Sequence, residues 1–148
     1  MQRTTVRSLH SVVVSVDEVI ATVVSLIVAL PFWLRIVGRA ISVNPAIARG
    51  PMRWGLLLLP VLTVALLLPL LHLVASHDVR NDPRYLSMYT VMGFGWVSLW
   101  VATLRLSGLQ IADVTERRNP GALLMYLGAV IGFACAFAGA NVGDGPGW

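Results

Sequence analysis

Charge is scarce in this chain, and lysine is absent altogether. Charged residues make up 12% of the sequence, against roughly 25% in a soluble domain whose surface must face water. So little charge, beside 57% hydrophobic residues and a mean hydropathy of +0.77, excludes a wholly water-facing surface and points to one that mostly faces lipid. The 11 cations are all arginine, which we read as a compositional bias rather than a mechanism. They are scattered over several short segments and form no stripe. Nucleic-acid binding is therefore excluded despite a net charge of +4 and a pI of about 10.2. A single cysteine, Cys135, excludes an intrachain disulfide and a Cys-based metal site. Lying inside an apolar run, it is expected to be a buried structural thiol. No Gly-rich phosphate loop and no readable Ser/His/Asp arrangement is present, so the sequence predicts no enzyme and indicates no cofactor.

What the chain does have is four apolar segments. Residues 19–34 carry no charge, and this run reaches spanning length once Asp17 and Glu18 are placed in its first turn. Ser15-x-x-Glu18 fits a capping box, and both carboxylates then face the positive end of the helix dipole. This run is too long for a signal peptide and lacks a small-x-small cleavage pattern, so it is expected to be a retained helix. The second segment contains Pro60 and Pro69, where kinks are expected. Asp82-Pro83 and Asn119-Pro120 open the third and fourth by the same device, an N-cap residue followed by proline at the first helical position. The expected fold is an all-α integral membrane protein with four transmembrane helices over residues 16–38, 54–75, 84–105 and 120–140. Together they make a single transmembrane domain, with residues 1–14 as an N-terminal extension and 141–148 as a Gly-rich tail.

Orientation follows from the arginines of the connections. Arg35, Arg39, Arg49 and Arg53 lie in the first, and Arg105, Arg117 and Arg118 in the third, against Arg3, Arg7, Arg80 and Arg84 on the other side. The first and third connections are therefore expected in the cytoplasm and both termini outside. Trp33 and Trp54 suit the inner aromatic belt, Tyr85 and Tyr89 the outer one.

Gly128-x-x-x-Gly132 continues as Ala136 and Ala140 at the same spacing. Small residues on one face let helices approach closely, so the stripe is a seam with another subunit or a tight contact within the bundle. Asp17 and Glu18 are candidates for ion or substrate coupling, because a carboxylate inside a membrane helix is costly unless it has a role; the capping box is the competing reading. Glu116, Arg117, Arg118 and the terminal Trp148 are candidates for docking. The first three also read as a positive-inside anchor with local ion pairs. His72, His77 and Asp78 cluster near the predicted outer face, but a spacing of five does not place two histidine ligands on one helical face, so no metal is expected. Trp96 and Trp100, near Gly93 and Gly95, read either as a contact for a pigment, quinone or lipid or as gap filling between helices.

Glu116-Arg117-x-Asn119 followed by Ala122, Gly128 and Gly132 resembles a pattern in a family of uncharacterised bacterial inner-membrane proteins. These are built from paired transmembrane helices, with a Glu-Arg-Gly-Asn sequence before an Ala/Gly-rich helix. The resemblance covers residues 113–137, with Arg118 where that family has glycine. It implies a multi-pass protein of the bacterial inner (plasma) membrane and no known activity. From the residues themselves, the small-residue stripe, the short connections and the nearly charge-free second to fourth helices point to a non-catalytic membrane subunit, an accessory or scaffold component of a larger complex or a homo-oligomer. Its partners are the bilayer and other membrane chains or itself. The alternative is a small oligomeric transporter or channel protomer using Glu18 or Asp17, with hydroxyls such as Ser25, Thr63, Ser87 and Ser98 lining a path.

Overall fold

The computed structural model describes residues 16–42 and 51–143. Four long helices cross the molecule: α1 (Val16–Ser42), α2 (Pro51–Val74), α4 (Pro83–Thr103) and α6 (Pro120–Ala140). Each is long and apolar enough to span a membrane, and the chain is an all-α, multi-pass membrane protein. Two short helices occupy the connections, α3 (His77–Asn81) and α5 (Ile111–Thr115), with a 3₁₀ turn at Leu104–Ser107.

The helix starts follow local chemistry. The Asp82 carboxylate accepts a hydrogen bond from the Arg84 N–H at 2.8 Å, with Pro83 at the first helical position. Asn119 does the same for α6, accepting from Gly121 N–H at 2.9 Å and Ala122 N–H at 3.4 Å. In both, proline occupies a site whose N–H would have no partner in the helix. Asp17 and Glu18 lie in the first turn of α1 as expected, whereas Ser15, the proposed cap, lies outside the described residues. Pro31, Pro60 and Pro69 are all accommodated inside helices.

The helices form a rhombus. α2 and α4 pack on each other and on both outer helices, while α1 and α6 occupy opposite corners with no close backbone approach among the described residues. α1 against α4 is the most extensive pair. Its close approach is set by Gly95, where a Cβ would stand 2.7 Å from Ser25 Cβ and 2.8 Å from Ser25 Cα. The core combines Trp33 and Ile36 from α1, Leu56, Leu59 and Leu67 from α2, Val97 and Val101 from α4, and Tyr126, Val130 and Ala134 from α6. Trp33 is 4% exposed and stacks on Phe94 at 5.6 Å, so it belongs to the core and not to the interfacial belt expected for it. Trp54, in contrast, is exposed.

The third connection is ordered, with a 3₁₀ turn followed by α5. Gly108 turns the chain at φ 85°, and α5 then lies across the end of the bundle in contact with α1, α2 and α6. Its Ile111 and Val114 are buried in the main core. The Asp113 carboxylate fixes this plug, accepting from Gln110 N–H at 2.7 Å and from Arg117 at 2.8 Å. At the opposite end Ala75 and Val142 form an isolated antiparallel bridge, and Ser76 N–H donates to Asn141 C=O at 3.2 Å, which ties the end of α6 to the end of α2.

Candidate functional site

α6 is apolar all round, so its facing is decided by what surrounds it. Ala122, Tyr126, Val130, Ala134 and Ala138 are its buried residues, one line along the helix. Gly128, Gly132, Ala136 and Ala140 lie on the other side and are exposed. A Cβ added at Gly128 or Gly132 would meet nothing within 4 Å. The stripe is therefore not an internal contact of this bundle. The outward faces of α1 and α2 carry large aliphatic side chains along their length, such as Val23, Ile27 and Leu34, or Leu58, Val61 and Leu68, whereas on α6 the exposed Leu124, Met125 and Ile131 border a row of small residues. Cys135 is exposed on the same side of α6, contrary to the buried thiol expected from its apolar surroundings. In a helix rich in small residues, an apolar neighbourhood in sequence carries no information about which side is covered.

An aromatic array adjoins this face. Trp96 and Trp100 on α4 meet edge to face at 5.5 Å, and Trp100 stacks on Phe133 of α6 at 5.6 Å. Both tryptophans are exposed, at 41% and 38%. Ala136 stands one turn beyond Phe133 on α6, so rings and small residues meet along one side of the molecule. The glycine notch near these rings is already filled: Gly93 faces Phe137 and Leu67, and Gly95 faces Ser25. The array is thus a surface feature, and the two glycines serve helix packing.

Asp17 and Glu18 remain at one end of α1, in its first turn, Asp17 exposed and Glu18 half-buried. The hydroxyls considered as path-lining groups are bonded back into their own helices. Ser25 donates to Ala21 C=O at 2.8 Å, Thr63 to Leu59 at 2.8 Å, Ser87 to Arg84 at 2.8 Å and Ser98 to Phe94 at 2.5 Å. Each spends its proton on a local carbonyl. Among the described residues no cluster of His, Cys, Asp or Glu could hold a metal ion. His72 and His77 are both exposed, and His77 is hydrogen-bonded to Asn81 at 2.9 Å.

Glu116, Arg117 and Arg118 are exposed in the link between α5 and α6. Arg117 pairs with Asp113 at 2.8 Å, with side chains 79% and 13% exposed. Such a pair on the surface stabilises by at most about 1 kcal/mol. Arg118 has φ 50°, the left-handed conformation that favours glycine. Trp148, the remaining docking candidate, lies outside the described residues. Two groups that sequence reasoning missed are buried donors without an acceptor: Trp33 Nε1 and Arg53 Nε. Only the terminal position of Arg53 beside an apolar span hinted at a special environment. No protein-family model matches the chain, and no curated protein or solved structure shows significant similarity to it.

Proposed function

We propose that this protein is a non-catalytic integral membrane subunit, an accessory or scaffold component that assembles laterally with other membrane chains or with a second copy of itself. The observation that carries this reading is the outward direction of Gly128, Gly132, Ala136 and Ala140. A helix meant to face lipid alone gains more dispersion contact from large side chains, such as those on α1 and α2. Small residues on an outward face favour the close approach of another helix. The exposed Trp96 and Trp100 beside it suit the anchoring role that aromatic residues take in interfaces.

Orientation and location belong to the same proposal. Among the described residues, Arg35, Arg39, Arg53, Arg105, Arg117 and Arg118 gather at one end with Asp113 and Glu116. The other end has Arg80 and Arg84 with Asp17, Glu18, Asp78 and Asp82. This asymmetry supports a cytoplasmic basic end and termini outside. The bacterial inner membrane rests on the resemblance of residues 113–137, in which Arg118, at φ 50°, stands where the paired-helix family has glycine. The transporter alternative has less support, since both carboxylates sit at the mouth of α1 and the hydroxyls along the spans donate within their own helices.

Native mass spectrometry of the protein extracted from its own membrane in mild detergent tests the reading. A homo-oligomer or a defined heteromeric mass that Gly128→Ile with Gly132→Ile dissociates to an intact monomer is the expected result. A wild-type monomer, or an assembly that the double substitution leaves unchanged, would overturn it.

A further inference from the structure

The first connection and its flanks contain Arg35, Arg39, Arg49 and Arg53 and no acidic residue. Because successive spans alternate in direction, the end of α1 and the start of α2 share one end of the bundle with α5. The described carboxylates at that end are Asp113 and Glu116. Both oxygens of Asp113 are already engaged, one by Gln110 N–H and the other by Arg117. Arg35 and Arg39 are exposed. Like charges held in one layer repel one another, and the chain itself supplies too few anions there to neutralise them.

A buried donor adds an independent deficit of the same sign: Arg53 Nε has no hydrogen-bond partner and stands where an apolar span gives way to charge. Arg53 also sits in the first turn of α2, which has no acidic residue and where the helix field disfavours a cation. Among the described residues, Arg35, Arg39 and Arg53 form no ion pair, while Asp113 is taken up by Arg117.

We infer that this rim binds the phosphodiester oxyanion of an anionic phospholipid through Arg53, in the first turn of α2, and Arg35 and Arg39, toward the end of α1. The lipid is the source because these arginines directly flank apolar spans, which places them at the depth of the headgroup phosphates. A guanidinium presents a fork of donors to a phosphate, and a partly desolvated one gains most from such a partner. The inference rests on the chain spanning a membrane and is independent of how α6 assembles.

The test is lipid competition, read by native mass spectrometry of the full chain in micelles holding equimolar phosphatidylglycerol and phosphatidylcholine. Phosphatidylglycerol adducts should outlast phosphatidylcholine adducts. Arg35→Gln and Arg39→Gln should each weaken retention about fivefold, and Arg53→Gln by at least as much. Arg53→Lys, which keeps the charge, should retain part of the affinity, and Arg80→Gln at the opposite end should leave it unchanged. Equal retention of the two lipids, or undiminished phosphatidylglycerol binding in the Arg35→Gln, Arg39→Gln double variant, would overturn the inference. So would displacement of the lipid by millimolar inorganic phosphate, which would mark a free-anion site. The mass of the assembly in the same spectra reports separately on the α6 face.

Discussion

Replacing Gly95 with alanine perturbs the close approach of α1 to α4. The new methyl would stand 2.7 Å from Ser25 Cβ, 2.8 Å from Ser25 Cα and 2.9 Å from the Ser25 carbonyl oxygen. Two of these atoms are backbone, so no rotamer change relieves the clash and α1 itself must move. Reaching ordinary contact means opening the α1–α4 seam by about 0.7 Å, and a gap of that size forfeits roughly a quarter to a half of the dispersion energy of the atoms lining it. Overpacking of this kind costs about 1–3 kcal/mol, and the backbone involvement places Gly95→Ala in the upper half of that range. Gly93→Ala meets the Phe137 ring at 2.8 Å and a Leu67 methyl at 2.9 Å, side chains that can shift, and should cost less. Gly132→Ala meets nothing within 4 Å, so the monomer should gain up to about 1 kcal/mol from improved helix propensity. Unfolding in mixed micelles with rising denaturing detergent, followed by tryptophan fluorescence, ranks the three. Trp33 stacks on Phe94 beside the seam and reports its opening. Gly95→Ala within about 0.5 kcal/mol of the native protein would refute the packing argument, because it would mean that Ser25 does not fill the notch.

Other substitutions follow from the same geometry. Asn119→Ala removes the acceptor for Gly121 and Ala122 N–H and should lower stability by about 1 kcal/mol in the same assay. Arg118→Val should be about 1–2 kcal/mol less stable than Arg118→Gly, since both lose the side-chain charge but only glycine takes φ 50° without strain. Ile111→Ala should cost about 2–4 kcal/mol, because α5 is a buried plug and not a surface loop.

The parts of the fold that were legible in the sequence are those whose causes are local. Asp82-Pro83 and Asn119-Pro120 fixed two helix starts because a cap and its proline act within a single turn. The four spans were legible because a run of about 20 residues almost free of charge matches the thickness of the bilayer core and exceeds what a small soluble core can cover. Facing was not legible. α6 has small and apolar residues on every side, so only its neighbours reveal that Ala134 points inward and Cys135 outward. One further expectation fails for the same reason. Trp33 lies at a depth suited to the interface, yet Phe94 offers it a stacking partner in the core. What fills the space at Gly93 and Gly95 was equally hidden, because Ser25, Leu67 and Phe137 come from elements distant in sequence. The plug formed by α5 escaped notice because five residues are too few for a helical period to show.

Whether the small-residue face of α6 meets protein and not lipid is tested most directly by its accessibility in the membrane. A cysteine placed by Gly132→Cys in a Cys135→Ala background would be labelled with a lipid-soluble maleimide in native membranes and in dispersed monomers. A cysteine placed by Val61→Cys on the outward face of α2 would serve as the control. If the face is a seam, position 132 is protected in the membrane and reactive in the monomer, while position 61 reacts in both. Equal labelling of position 132 in the two settings would contradict the proposed assembly, and would leave this face to the lipid alone.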